Sequence, residues 1–178
     1  MDEAAAPNPN PMPNPPYSEN NPSPVERQRA AMAKHQLRTN DLVMIGGHMR
    51  VQINGTPLIR LKPHELTVLL ILASYARHAP GAPLGTKAMI LAIERGNSWL
   101  ASQGMSWLGA TEQAVYQTIW RLREILRQKH LNVALIELLP NLGYRLSTPA
   151  MNIEIELIGS ENLARAAVNA LENKDFRG

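Results

Sequence analysis

The chain has 178 residues, with 18 lysines and arginines against 15 aspartates and glutamates, a net charge of +3 with histidine neutral, and no cysteine. That length supports one ordinary domain with extensions and excludes a large multidomain enzyme. The missing thiol excludes a disulfide framework, thiolate-held zinc or iron–sulfur centres and a cysteine nucleophile, and fits a reducing compartment.

The longest apolar run, Val68 to Ala73, is far short of a membrane span, and the N-terminus has neither a basic nor an apolar targeting region. A soluble, cytoplasmic protein with no membrane partner is expected. Charge is distributed unevenly. Residues 1–40 hold four acids and four bases, residues 41–148 six and eleven, and residues 149–178 five and three. A polyanion would therefore meet the basic middle.

Residues 1–24 contain eight prolines and five asparagines, and repeated Asn-Pro steps forbid both a helix and a strand ladder. Such a segment cannot bury enough to offset its ordering entropy and reads as a disordered tail. Ser23-Pro24-Val25-Glu26 has the form of a capping box and opens a helical lead-in over residues 25–40, helix-prone to about Arg38. Its bases Arg27, Arg29, Lys34 and Arg38 either touch a phosphate backbone or simply form a solvated face.

Short strands follow at Leu42 to Ile45, His48 to Ile53 and Thr56 to Leu61, separated by Gly46-Gly47 and Asn54-Gly55. Asn-Gly between alternating apolar residues predicts a tight hairpin, because both turn residues tolerate positive φ. A helix starts at Pro63, with Glu65 near its positive end and an apolar stripe of Leu66, Leu69, Leu70 and Ala73, and stops before Pro80-Gly81. A second helix covers Thr86 to Arg95 with Met89, Ile90 and Ile93 buried. Gly96 to Gly109 reads as a long irregular loop with a small duplication, Ser98-Trp99-Leu100 and Ser106-Trp107-Leu108.

A third helix spans Ala110 to Lys129. Its Val115, Ile119, Leu122 and Leu126 stack on one face, and Gln113, Gln117, Trp120, Arg121, Glu124 and Gln128 fall on the other. Ala134 to Leu139 and Gly143 to Ser147 flank Pro140-Asn141-Leu142 as a terminal hairpin. Strands, three helices and a hairpin in that order predict an α+β fold of the winged helix-turn-helix kind.

Leu61-Lys62-Pro63-His64-Glu65-Leu66 with Leu69-Leu70, Met89-Ile90-Leu91-Ala92-Ile93, Val115 with Ile119, Arg121-Leu122-Arg123 and Leu126, and Leu142-Gly143-Tyr144-Arg145-Leu146 resemble the DNA-binding effector domain of OmpR/PhoB-type regulators. The resemblance covers residues 41–148. It implies that helix 110–129 enters the major groove of double-stranded DNA and that the hairpin wing reaches the adjacent minor groove. It also implies that the loop between the second and third helices meets the transcription machinery, with Trp99 and Trp107 as anchors for a partner such as RNA polymerase.

Side chains such as Gln, Thr and Arg on the free side of a docked helix can bond base edges and phosphates. The candidate DNA-binding residues are Gln113, Tyr116, Gln117, Thr118, Trp120, Arg121, Arg123, Arg127 and Arg145. Arg121 suits guanine or phosphate, and Gln117 suits adenine. The sequence departs from the family at three places: Pro140 among Leu138, Leu139 and Leu142 where the wing often carries arginine, Lys62 where a capping Ser or Thr is usual, and Glu94 where tryptophan is common. A receiver domain is not expected, because residues 1–40 cannot supply one.

No metal or other cofactor is expected. Histidines 35, 48, 64, 78 and 130 lack metal-ligand spacing, and neither a glycine-rich phosphate loop nor a nucleophile motif occurs. An enzyme is therefore not predicted. Met151 to Ile158 alternates as a half-buried strand, and Ser160 caps a helix with Leu163, Ala166, Ala167, Ala170 and Leu171 on one side. This extension, residues 149–178, either packs back on the domain or serves a homodimer or partner surface. Two functions stay open: a sequence-specific transcriptional regulator, and a protein-binding winged helix that meets its partner through its tryptophans and apolar wing.

Overall fold

The computed structural model describes residues 36–172. Its elements are β1 (Val43–Gly46), β2 (Arg50–Ile53), β3 (Thr56–Pro57), α1 (Pro63–His78), α2 (Thr86–Ser102), α3 (Glu112–Gln128), β4 (Ile136–Leu139), β5 (Gly143–Leu146), β6 (Ile153–Ile155) and α4 (Glu161–Glu172). Four helices and two small sheets make a mixed α+β architecture among the described residues. The expected tail, and the lead-in before residue 36, lie outside them. Residues 36–40 are not helical. They run beside the end of β5, where Arg38 N donates to Ser147 Oγ at 2.6 Å and Thr39 N to Ser147 O at 2.9 Å.

The first sheet has the order β3-β2-β1-β6. β1 and β2 pair antiparallel with Val43 opposite Ile53 and Ile45 opposite Val51, so the period of two puts all four on the buried face. The Asn54-Gly55 turn has φ of 52° and 77°, as its sequence predicts. β3 is shorter than the expected Thr56 to Leu61. Pro57 offers no N–H to continue the ladder. The strand expected from His48 begins at Arg50 instead, because Gly47–Met49 forms a tight 3-10 turn with His48 at φ 59°.

β6 joins the sheet parallel to β1, with Ile153 opposite Val43 and Ile155 opposite Ile45. Residues 153–172 therefore pack back on the same fold. The expected strand is reduced to three residues, since Ala150–Asn152 is a 3-10 turn.

α1 is the centre of the core. Every residue from Thr67 to Ala76 is buried, so the predicted stripe is too narrow. One flank meets the sheet and α3, and α4 covers the other. At its start the Glu65 carboxylate accepts from Lys62 N at 2.8 Å. This is the half of a capping box that lysine permits, because an ammonium has no lone pair to accept with. β4 and β5 form a separate hairpin, extended at its edge by Leu84, whose N–H donates to Tyr144 O at 2.8 Å.

α2 runs to Ser102, so the first half of the loop predicted over residues 96–109 is helical, and only the segment from Gln103 to Thr111 links α2 to α3. Gly96 is a packing residue rather than a helix stop. A Cβ there would lie 2.5 Å from Leu163 Cδ2, so its absence lets α4 approach α2 closely.

Candidate nucleic-acid interface

Thr111 fixes the start of α3: its side chain accepts from Ala114 N at 3.2 Å, and Glu112 follows in the first turn. Val115, Ile119, Leu122 and Leu126 are buried at the spacing read from the sequence. That anchors one face of the helix and fixes which side chains point away. Gln113, Tyr116, Gln117, Trp120, Arg121 and Arg127 are exposed, and Arg123 is half-buried. Trp120 keeps 67% of its surface open.

Two open depressions adjoin this face. One, of about 490 Å³, lies between Tyr116, Trp120, Arg123, Arg127 and Tyr144. The other, of about 400 Å³, lies between the starts of α2 and α3 and the β4–β5 turn, with Lys87, Glu112, Asn141 and Tyr144 around it. Tyr116 and Tyr144 line both and meet edge to face at 6.2 Å, so the two depressions share an aromatic divide. Burial raises the Tyr144 phenol above its ordinary pKa, with the neighbouring Tyr116 adding to the shift and Arg123 opposing it.

Charge along α3 is graded. Arg127 Nε donates to Glu124 Oε2 at 3.0 Å and a second guanidinium nitrogen reaches the same carboxylate, which Gln128 also bonds. The Arg127 hydrogen bond lowers the Glu124 pKa, and the carboxylate in turn raises that of Arg127. The C-terminal part of the face is thus a neutralised pair. Arg121 and Arg123 have no carboxylate partner among the described residues.

Four candidate residues stand elsewhere. Thr118 is 3% exposed and donates its hydroxyl back to Ala114 O at 2.8 Å, so it faces the core. Arg145 is 3% exposed; its Nε donates to Glu137 Oε2 at 2.8 Å, and its other nitrogens donate to Gly81 O and Gln36 O. It ties the hairpin to the rest of the fold and is not a phosphate contact. Trp107 is 5% exposed and stacks on His64, with ring centroids 4.0 Å apart. Trp99 sits on α2, half-buried, and donates from Nε1 to Ile158 O at 3.0 Å against Gly159, where a Cβ would come within 2.5 Å of that nitrogen. The Trp107 indole is enclosed by the fold, whereas Trp99 keeps part of its ring open to solvent.

Sequence reasoning missed Lys87, exposed in the first turn of α2 beside Thr86, whose hydroxyl donates to Glu112 Oε1 at 3.1 Å. A basic residue at a helix start, where backbone N–H groups are unpaired, was the available clue. At the β4–β5 turn the apolar Leu138 and Pro140 are exposed beside the polar Asn141. No protein-family model matches this chain, and neither curated proteins nor solved structures give a match. No helix among the described residues is long and apolar enough to cross a membrane.

Proposed function

We propose that this chain is a winged helix-turn-helix protein of the OmpR/PhoB effector type that binds double-stranded DNA and regulates transcription without catalysis. In this reading α2 and α3 form the helix-turn-helix, α3 lies in the major groove, and the β4–β5 turn is the wing. The observation that carries it is the outer face of α3. Gln113, Gln117, Trp120 and Arg121 stand exposed on a helix whose opposite face is locked in the core, so the side of the fold from which they project is fixed before any ligand arrives.

Arg121 offers two parallel N–H donors, matching guanine N7 and O6 or a phosphate, and the Gln117 amide can both donate to and accept from adenine. Lys87 and the open N–H groups at the start of α2 suit a backbone phosphate. Leu138 and Pro140 give the wing van der Waals contact in place of charge. Binding-site selection from random duplexes tests the reading. Enrichment of one motif, bound by the wild type and lost in Arg121→Ala, is expected; a pool that stays random would contradict sequence-specific binding.

A second reading is favoured by the exposed Trp120, Leu108 and Leu138: a protein-binding module for a partner such as RNA polymerase. Salt separates the two. Duplex affinity falls steeply as salt rises because phosphate contacts release counterions, whereas an apolar protein interface changes little. A palindromic selected site would point to a homodimer on DNA.

A further inference from the structure

An open cleft of about 500 Å³ lies between the end of α1, β6 and α4, within the size range of small-molecule sites, and none of its lining residues belongs to α3. Ser74 lines it. This residue is 5% exposed, and its hydroxyl has no hydrogen-bond partner. Buried hydroxyls on helices commonly donate back to the carbonyl four residues earlier. Thr67 and Thr118 do so here, each at 2.8 Å, to Pro63 O and Ala114 O. Ser74 does not, so its hydroxyl is a buried, unpaired donor among the residues that line the cleft.

The charged rim is mostly basic. Arg77 and His78 come from the last turn of α1 and Arg165 from α4, against the single carboxylate of Glu161. Among the described residues neither arginine has an ion-pair partner. Ile155, Leu157 and Val168 supply the apolar part of the lining. A bare inorganic anion would leave that part unused, and a neutral apolar molecule would leave both guanidinium groups and the Ser74 hydroxyl unanswered.

We propose that this cleft binds a small monocarboxylate with a short apolar tail, its carboxylate on Arg77 and Arg165 and its tail along Leu157 and Val168. The Ser74 hydroxyl donates to the carboxylate, satisfying the buried group that the protein leaves unpaired. Because the cleft shares no residue with α3, the site stands or falls independently of DNA binding.

The test is an NMR titration of the full ¹⁵N-labelled chain with sodium octanoate, alongside inorganic phosphate and octylamine. Saturable shifts at the amides of residues 74–78 and 160–168 are expected with octanoate. Arg77→Gln with Arg165→Gln should weaken binding at least about tenfold, since both charge-assisted contacts are lost. Ser74→Ala should weaken it while leaving the ligand-free melting temperature unchanged or higher, because no protein bond is removed. No saturation with octanoate, equal binding by the double variant, phosphate or octylamine binding as tightly as octanoate, or a lower ligand-free melting temperature in Ser74→Ala would each overturn the proposal.

Discussion

Arg145 lies in the last strand of the hairpin, and its guanidinium turns inward onto Glu137. Burial works to raise the Glu137 carboxyl, but hydrogen bonds from Ser147, Arg145 and Arg38 outweigh it and hold the pKa below the ordinary value. A carboxyl depressed on folding contributes stability that is fully present above its unfolded pKa, about 4.3, and is lost as pH falls through the folded value. Arg145→Ala strands that carboxylate and should cost about 3 kcal/mol, the low end for a broken buried pair. Arg38, at 3.1 Å, still reaches the same group. Urea melts should show the gap between wild type and variant narrowing as pH falls from above the unfolded carboxyl pKa through the lowered folded value. A pH-independent gap would mean the arginine acts through packing and its bonds to Gly81 and Gln36 rather than through Glu137. Glu137 stands directly opposite Arg145 in the predicted hairpin, but the inward turn was not legible in the sequence, because it rests also on bonds to Gly81 and Gln36 at separations of 64 and 109 residues, beyond any local pattern. The exposure of Arg121 was legible, since the helical period alone turns it well away from the stripe of Val115, Ile119, Leu122 and Leu126. Arg121→Ala should weaken duplex binding and lower the salt slope by about 1 if it meets phosphate. Arg50→Ala, an exposed charge on β2, should do neither. Equal loss in gel shifts would show that only overall charge matters.

At the scale of elements, periodicity located α1, α3 and the β1–β2 hairpin, and turn chemistry located Asn54-Gly55. It failed on α2 for one reason. Gly96 was read as a stop because glycine is a poor helix former, whereas tertiary packing against Leu163 requires a residue without Cβ. Two effects of opposite sign meet there: alanine gains about 1 kcal/mol of helix propensity, and overpacking costs about 1–3 kcal/mol. Gly96→Ala should therefore destabilise the wild type but stabilise the Leu163→Ala background, where the obstructing methyl is gone. Thermal melts of the four proteins in this cycle decide it, and destabilisation in both backgrounds would show that something other than Leu163 forbids the Cβ. Trp107→Ala belongs to the same scale. Loss of a buried, stacked indole should cost about 3–5 kcal/mol, and an unchanged melting temperature would return the residue to the surface role the sequence suggested.

For the whole molecule, residues 149–172 are part of the fold rather than an attachment to it. β6 extends the sheet beside β1, and α4 buries Leu163 and Ala167 against α1 and α2. Ending the chain at Thr148 should expose the core flank of α1 and give a protein that does not melt cooperatively; a sharp, native-like melt would contradict this placement. The alternation of Ile153 and Ile155 was visible in sequence, but its pairing partner was not, because a strand pattern does not say which edge it joins. The proposal that the outer face of α3 meets DNA is tested most directly by backbone-amide NMR mapping, with the ¹⁵N-labelled chain titrated by a duplex recovered from selection. Saturable shifts concentrated from Gln113 to Arg127 and at Leu138 to Leu142, with α4 unaffected, are expected. Shifts absent from α3, or confined to the opposite side of the fold, would contradict it.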